Sequence, residues 1–146
     1  MRLFQKTLAG VIAACLSACV SAPPPSSVAT PSPEAALVQR QLDAYNAHDL
    51  EGFLATYSPD IEIFDISNAA APQMAGIPAM REVYGEMFAS MPNLRCDLGN
   101  RIADGAFVID HEICAMAAPG DPPERAIAIY QVEDNLIRRV WFARVN

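Results

Sequence analysis

NLRCDLGNRIADGAFVIDHEICAM, residues 93–116, is the stretch on which the fold turns. Before it, apolar residues recur with the 3.6-residue period of helices; from Asn93 onward they alternate with period two, the pattern of strands half-buried in a sheet. Leu94 to Ile102 and Ala106 to Met116 read as a long hairpin turned at Asp104-Gly105, where glycine supplies the positive φ that a tight turn needs. Pro119-Gly120-Asp121-Pro122-Pro123 makes the next turn, Ala126 to Val132 the next strand, Glu133-Asp134-Asn135 another turn, and Leu136 to Val145 the last strand. Four consecutive antiparallel strands can share one sheet. The last is apolar on both sides, with Val140 and Phe142 on one and Trp141, Ala143 and Val145 on the other. One face can serve a core or pocket, which leaves the other for a partner subunit.

Upstream the reading is helical. Ser32 can cap a helix with Pro33 at its first position, and Val38, Leu42 and Tyr45 follow on one face, giving helix 1 from about 33 to 47. Asp49 can cap again, Leu50, Leu54 and Tyr57 form a short second stripe, and Ser58-Pro59 stops it. Ile61, Ile63 and Asp65 alternate with Glu62, Phe64 and Ile66 as in a strand, and residues 69–76 are irregular. Helix 3 carries Pro78 near its start, Met80, Val83, Tyr84, Met87, Phe88 and Met91 on one face, and Pro92 as its stop. Helices followed by antiparallel strands place the chain in the α+β class, with three helices packed on one face of the sheet.

The N-terminal third is of another kind. Met1 to Lys6 carry two positive charges, and Leu8 to Leu16 form an apolar run of nine residues, too short to span a bilayer as a helix and fitting a signal segment. Leu16-Ser17-Ala18-Cys19 follows directly. Residues 20–33 contain five of the twelve prolines among small polar residues, a composition suited to an extended tether. The expected organisation is therefore a signal segment 1–18, a tether 19–33 and one folded domain 34–146. At 146 residues the chain has no room for a second domain. Without the signal segment, eight arginines face seventeen acidic residues, a balance of −9 with no lysine left. Such a body has no basic footprint for nucleic acid and no polybasic patch for anionic lipid.

Several motifs resemble known families. Leu16-Ser17-Ala18-Cys19 resembles the bacterial lipobox, which implies cleavage before Cys19 and its acylation. Val20 in place of Asp after the cysteine implies, by the same analogy, an outer-membrane lipoprotein facing the periplasm, touching the membrane only through its lipid. In the body, Val38-Gln39-Arg40 with Tyr45-Asn46-Ala47-His48-Asp49-Leu50-Glu51-Gly52, then Tyr57-Ser58-Pro59-Asp60-Ile61-Glu62-Ile63-Phe64-Asp65, looks like the opening of the nuclear transport factor 2-like superfamily. The hairpin Arg101 to Asp110, the run Ile129-Tyr130-Gln131-Val132 and Ile137 to Phe142 agree with its ketosteroid isomerase and SnoaL-like branches. The resemblance implies a cone-shaped, cystatin-like fold around an apolar pocket for a small hydrophobic molecule, often a homodimer across the sheet, and no cofactor.

Transferred position by position, the isomerase's general base falls on Asp65. The two oxyanion donors, a tyrosine and a protonated aspartate, fall on Gln41 and near Ala128, so both donors are missing. If the Ile61/Ile63 face is internal, Asp65 is desolvated and its pKa raised, which suits a base; it could equally end the strand and cap the next turn. Tyr45, one helical turn after Gln41, could offer a replacement hydroxyl, or serve as a core tyrosine. His111 shares a strand face with Phe107, Ile109 and Ile113 and is a second candidate to stabilise charge, while Asp110 and Glu112 point the other way. His48 is expected in a solvated turn. No metal-ligand spacing, phosphate loop or serine nucleophile elbow occurs. A two-residue turn at Asp104-Gly105 would put Cys96 and Cys114 on opposite faces, so no disulfide is expected, whereas a bulged register would join them. Two readings stay open: a proton-transfer enzyme using Asp65, and a non-catalytic ligand-binding or dimerisation module of the envelope.

Overall fold

A computed structural model describes residues 30–115 and 122–145. The expected signal segment 1–18, the expected acylation site Cys19 and all but the end of the expected tether lie outside the described residues, as do Pro119-Gly120-Asp121 of the expected turn. Helices α1 (Pro33–Asn46), α2 (Leu50–Leu54) and α3 (Gly76–Ser90) pack on a sheet of β1 (Tyr57–Asp65), β2 (Met74–Ala75), β3 (Arg95–Asp104), β4 (Phe107–Ala115), β5 (Glu124–Glu133) and β6 (Leu136–Val145). Strand order is β2-β1-β6-β5-β4-β3. All pairings are antiparallel except β1 with β6, which run parallel. Among the described residues no helix is long and apolar enough to cross a membrane.

Local chemistry accounts for the helices. The Ser32 hydroxyl accepts the Ala35 N–H at 3.1 Å and Pro33 opens α1, whose buried stripe holds Val38, Leu42 and Tyr45 together with Gln41. His48, at φ 54°, ends the run. Its ring is not left in solvent: it stacks on Phe88 at 5.2 Å and its Nε2 donates to the Leu94 carbonyl at 2.9 Å. Asp49 then caps α2, accepting the Gly52 N–H at 3.0 Å. Ser58-Pro59 does terminate the helical stretch, but both residues already belong to β1, beside a register irregularity between Tyr57 and Glu62 where a missing N–H is tolerated. On α3, Met80 and Phe88 are buried, whereas Val83 and Met91, expected on the same face, are exposed.

The β3–β4 hairpin turns one residue later than the sequence suggests. Gly105 (φ 53°) and Ala106 form the turn, and Asp104 faces Phe107. The register then shifts between Leu98 and Asn100, a bulge at Gly99, and beyond it Cys96 lies opposite Cys114. These two cysteines form a disulfide, with Cα atoms 4.0 Å apart, which corrects the expectation of no bond. Space at Gly99 is tight: a Cβ there would sit 3.0 Å from His111 Nδ1 and 3.3 Å from the His111 carbonyl oxygen.

Which face of β4 meets the helices is the decisive fact for the site. Val108, Asp110, Glu112 and Cys114 are buried under them. Phe107, Ile109, His111 and Ile113 occupy the opposite, outer face, together with Phe64 and Trp141, whose rings stack at 5.6 Å. Asp110 is tolerated inside because Arg101 donates to both its oxygens, at 2.7 and 2.6 Å, while the same guanidinium reaches Ala35 O and Gln39 Oε1 on α1. A buried charge that is paired and hydrogen-bonded avoids the penalty of an isolated one.

Candidate functional site

Between α1, α3 and the inner face of the sheet lies a cavity of about 370 Å³, near the lower end of the range of roughly 300–1,000 Å³ usual for small-molecule pockets. Its buried wall combines the aliphatic Leu42 and Ile63 with Gln41, Tyr45, Glu112 and Tyr130. The Cys96–Cys114 disulfide and the thioether of Met87 add soft sulfur surface. Exposed or half-exposed charged residues stand at the rim: Asp65 and Glu124, Arg125 and Arg144.

Glu112 is the ionisable group of the interior. It is only 7% exposed. Tyr130 donates to its Oε1 at 2.7 Å; its Oε2 has no hydrogen-bond partner among the described residues. Burial pushes the carboxyl pKa up to about 7; the Tyr130 bond opposes that shift, nearby Asp110 adds to it, and Arg101 opposes it weakly. Arg101 is held on Asp110 and so supplies no direct partner. Burial also raises the phenols of Tyr45 and Tyr84, with Glu112 contributing at both, so each hydroxyl stays protonated and can donate. A carboxyl poised near neutrality beside phenolic donors can take up or release a proton on a bound molecule.

The three residues singled out from sequence are not brought together. Tyr45 lines the cavity, its hydroxyl 3.7 Å from Met87 Sδ, a weak partner that leaves it free to turn to a ligand. Asp65 lines the rim, where it accepts the Ser67 N–H at 2.8 Å and the Ser67 hydroxyl, capping the short 3₁₀ turn Ile66–Asn68. The Ser67 hydroxyl and backbone N–H, helped by Arg144, hold its pKa below the ordinary carboxylate range, opposite to the raised value expected of a desolvated base. His111 lies on the outer face and is absent from the cavity wall. Alternation along β4 is as read, but the apolar side faces out. Glu112, Tyr84 and Tyr130 complete the site instead. Gln41 is part of it too, and its buried Oε1 has no hydrogen-bond partner among the described residues.

One set of donor atoms could suggest a metal: sulfurs of Cys96 and Cys114 and an oxygen of Glu112 fall within 4.8 Å of one another. Thiolate is the ligating form, and with the disulfide formed neither sulfur is one, so the set reduces to a single carboxylate.

An α+β domain with a cavity between the helices and the sheet is the architecture of nuclear transport factor 2-like, cystatin-like proteins, and solved structures agree on it. A cystatin-fold protein from Novosphingobium aromaticivorans superposes with a TM-score of 0.68 at 22% identity, over 79% of this chain and 100% of that one. A candidate ketosteroid isomerase from Kribbella flavida gives 0.66 at 18% identity over 78% of each chain. A candidate polyketide cyclase from Sinorhizobium meliloti gives 0.62 at 17% identity over 74% of this chain and 94% of that one. At these identities the likeness is one of fold alone. The SnoaL-like domain family matches residues 38–140, and the chain belongs to that family. No curated protein matches it significantly.

Proposed function

We propose that this chain is an exported pocket protein that takes up one small, mostly apolar molecule and exchanges a proton with it at Glu112, in the manner of a cofactor-free general acid–base catalyst. The observation that carries this reading is the placement of Glu112: a carboxyl on the buried wall of a 370 Å³ cavity, with one oxygen unpartnered among the described residues and a pKa of about 7. Tyr45 and Tyr84 are the donors that would stabilise developing negative charge. Asp65 keeps a rim position, where it shapes entry. Proton transfer also fits the isomerase and cyclase descriptions carried by two proteins of the same fold. Export and acylation at Cys19 are supported by the N-terminal sequence and by a disulfide of the kind that persists in oxidising compartments.

The test is a carboxyl-carbon NMR titration of the protein labelled at glutamate, free and saturated with the neutral probe cyclohexylmethanol. Glu112 should titrate near 7 in the free protein and higher when the probe displaces water, because filling the cavity removes solvation from the charged form. Asp65→Asn should leave that curve in place. A Glu112 midpoint in the ordinary carboxylate range, or one indifferent to the probe, would overturn the reading.

A further inference from the structure

We propose that the molecule held in this cavity carries a basic nitrogen, an amine on a compact apolar body, with its N–H donated to the open oxygen of Glu112. The inference rests on the reading of the cavity as a ligand site and adds the class of ligand.

Charge in the interior points one way. The groups facing Glu112 are Tyr45 from α1, Tyr57 from β1, Tyr84 from α3, Tyr130 from β5, and the Asp110–Arg101 pair on β4 and β3. Arg101 is fully engaged by Asp110, Ala35 O and Gln39 Oε1. Among the described residues, then, the buried wall offers carboxyl and phenol oxygens and the Gln41 amide, whose Oε1 is unpartnered, and no free cation. An anionic ligand head placed there would be desolvated beside a second carboxyl, with only the neutral phenol donors of Tyr45 and Tyr84 to meet it. An ammonium would find Glu112 itself, and a charge-assisted hydrogen bond is about twice as strong as a neutral one.

The rest of the wall agrees. Tyr45 and Tyr84, in edge contact with ring centroids 6.3 Å apart, supply aromatic surface that attracts cations, and Met87 with the disulfide supplies polarisable sulfur. At the rim Arg125 and Arg144 are balanced by Asp65 and Glu124, so entry is not reserved for anions. The chain as a whole carries a net charge of −7, a field that raises the local concentration of cations. A proton then has a defined route: it passes between the ligand nitrogen and Glu112 Oε2, with no other reactant needed.

The experiment compares three isosteres on the full chain by titration calorimetry: cyclohexylmethylamine, cyclohexylmethanol and cyclohexanecarboxylate. At about pH 8.5, with Glu112 ionised, the amine should bind about tenfold or more tightly than the alcohol, and the carboxylate should bind least. At about pH 5.5, with Glu112 protonated, the advantage of the amine should largely disappear. In Glu112→Gln, which keeps an acceptor for Tyr130, the amine should lose its advantage over the alcohol. Equal binding of amine and alcohol at the higher pH, or tighter binding of the carboxylate, overturns the amine assignment while leaving the cavity a ligand site. If none of the three binds, the ligand-site reading falls with it. The pH comparison on wild-type protein decides the matter even if the variant is unstable.

Discussion

Glu112 is held in a fold that would rather keep it neutral, and that preference is measurable as stability. In an unfolded chain its carboxyl ionises near 4.5, and in the fold near 7. Between those values the unfolded chain has released a proton that the folded chain retains, so raising the pH favours unfolding. Stability attributable to this group is complete below 4.5, falls by about 3 kcal/mol through the window and is level above 7. The exposed carboxylates Glu51, Asp60 and Asp65 have lowered values and act in the opposite sense at lower pH. Urea denaturation of wild type and Glu112→Gln at about pH 4.5 and 7.5 separates the two: the variant should gain on wild type by that amount at the higher pH. A difference that does not change with pH would mean that Glu112 is not desolvated. Sequence reasoning missed this residue for a definite reason. Asp110 and Glu112 share a face, and Ile109, His111 and Ile113 share the other; burying the apolar set is the ordinary inference. What reverses it is Arg101 and Tyr130, partners brought in from β3 and β5, whose bonds satisfy the acidic face and are visible only in three dimensions.

At the level of elements, the β3–β4 hairpin shows how one residue decides a covalent bond. Gly99 absorbs the extra position of the bulge, and only past it do Cys96 and Cys114 face each other. With the two cysteines 18 residues apart, the bond should contribute about 3 kcal/mol by limiting the unfolded chain. Reduction, or Cys96→Ser with Cys114→Ser, should therefore lower the urea midpoint accordingly and loosen the cavity wall that the disulfide lines. Intact mass after alkylation with and without reductant checks that the bond is present. If reduction leaves the midpoint unchanged, the two strands are held by their ladder alone. Helices α1 and α3 and strands β4 to β6 were legible because stripes, caps and alternation agree there. The bulge was not, since a lone glycine in an alternating run says nothing about how many residues oppose it. Strand β2 was hidden for a different reason: Met74 and Ala75 are too few to show a period, and they pair with Glu62 and Ile63 only because β1 offers an open edge.

For the whole molecule, the two surfaces of the sheet have separate work. The inner one builds the cavity; the outer one carries Ile102 and Phe107, 58% and 44% exposed, and, across Ile109 and Ile129 on the same face, the Phe64–Trp141 stack. We propose that a second copy of the chain covers this outer face, as apolar surface on that scale favours. Cys19→Ser should abolish fatty-acid labelling and release the body from membranes. The released body should sediment as a dimer, and Ile129→Lys, on the outer face of β5, should convert it to a monomer. Continued membrane association of Cys19→Ser would point to an uncleaved anchor, and a wild-type monomer would return the outer face to solvent.

The parallel contact of β1 with β6 gives the domain a particular order of assembly. Tyr57 finds Ile137, and Asp65 finds Phe142, so the earliest strand is completed by the latest. Neighbouring hairpins can zip as soon as they exist, but the β1–β6 ladder needs a strand from near the other end of the domain, with a large loop to close before that ladder repays it. A ribosome or a secretion channel that still holds the C-terminal segment thus also holds the domain open. Without β6, β1 and β5 have no ladder joining them, and the sheet wall behind the cavity is incomplete.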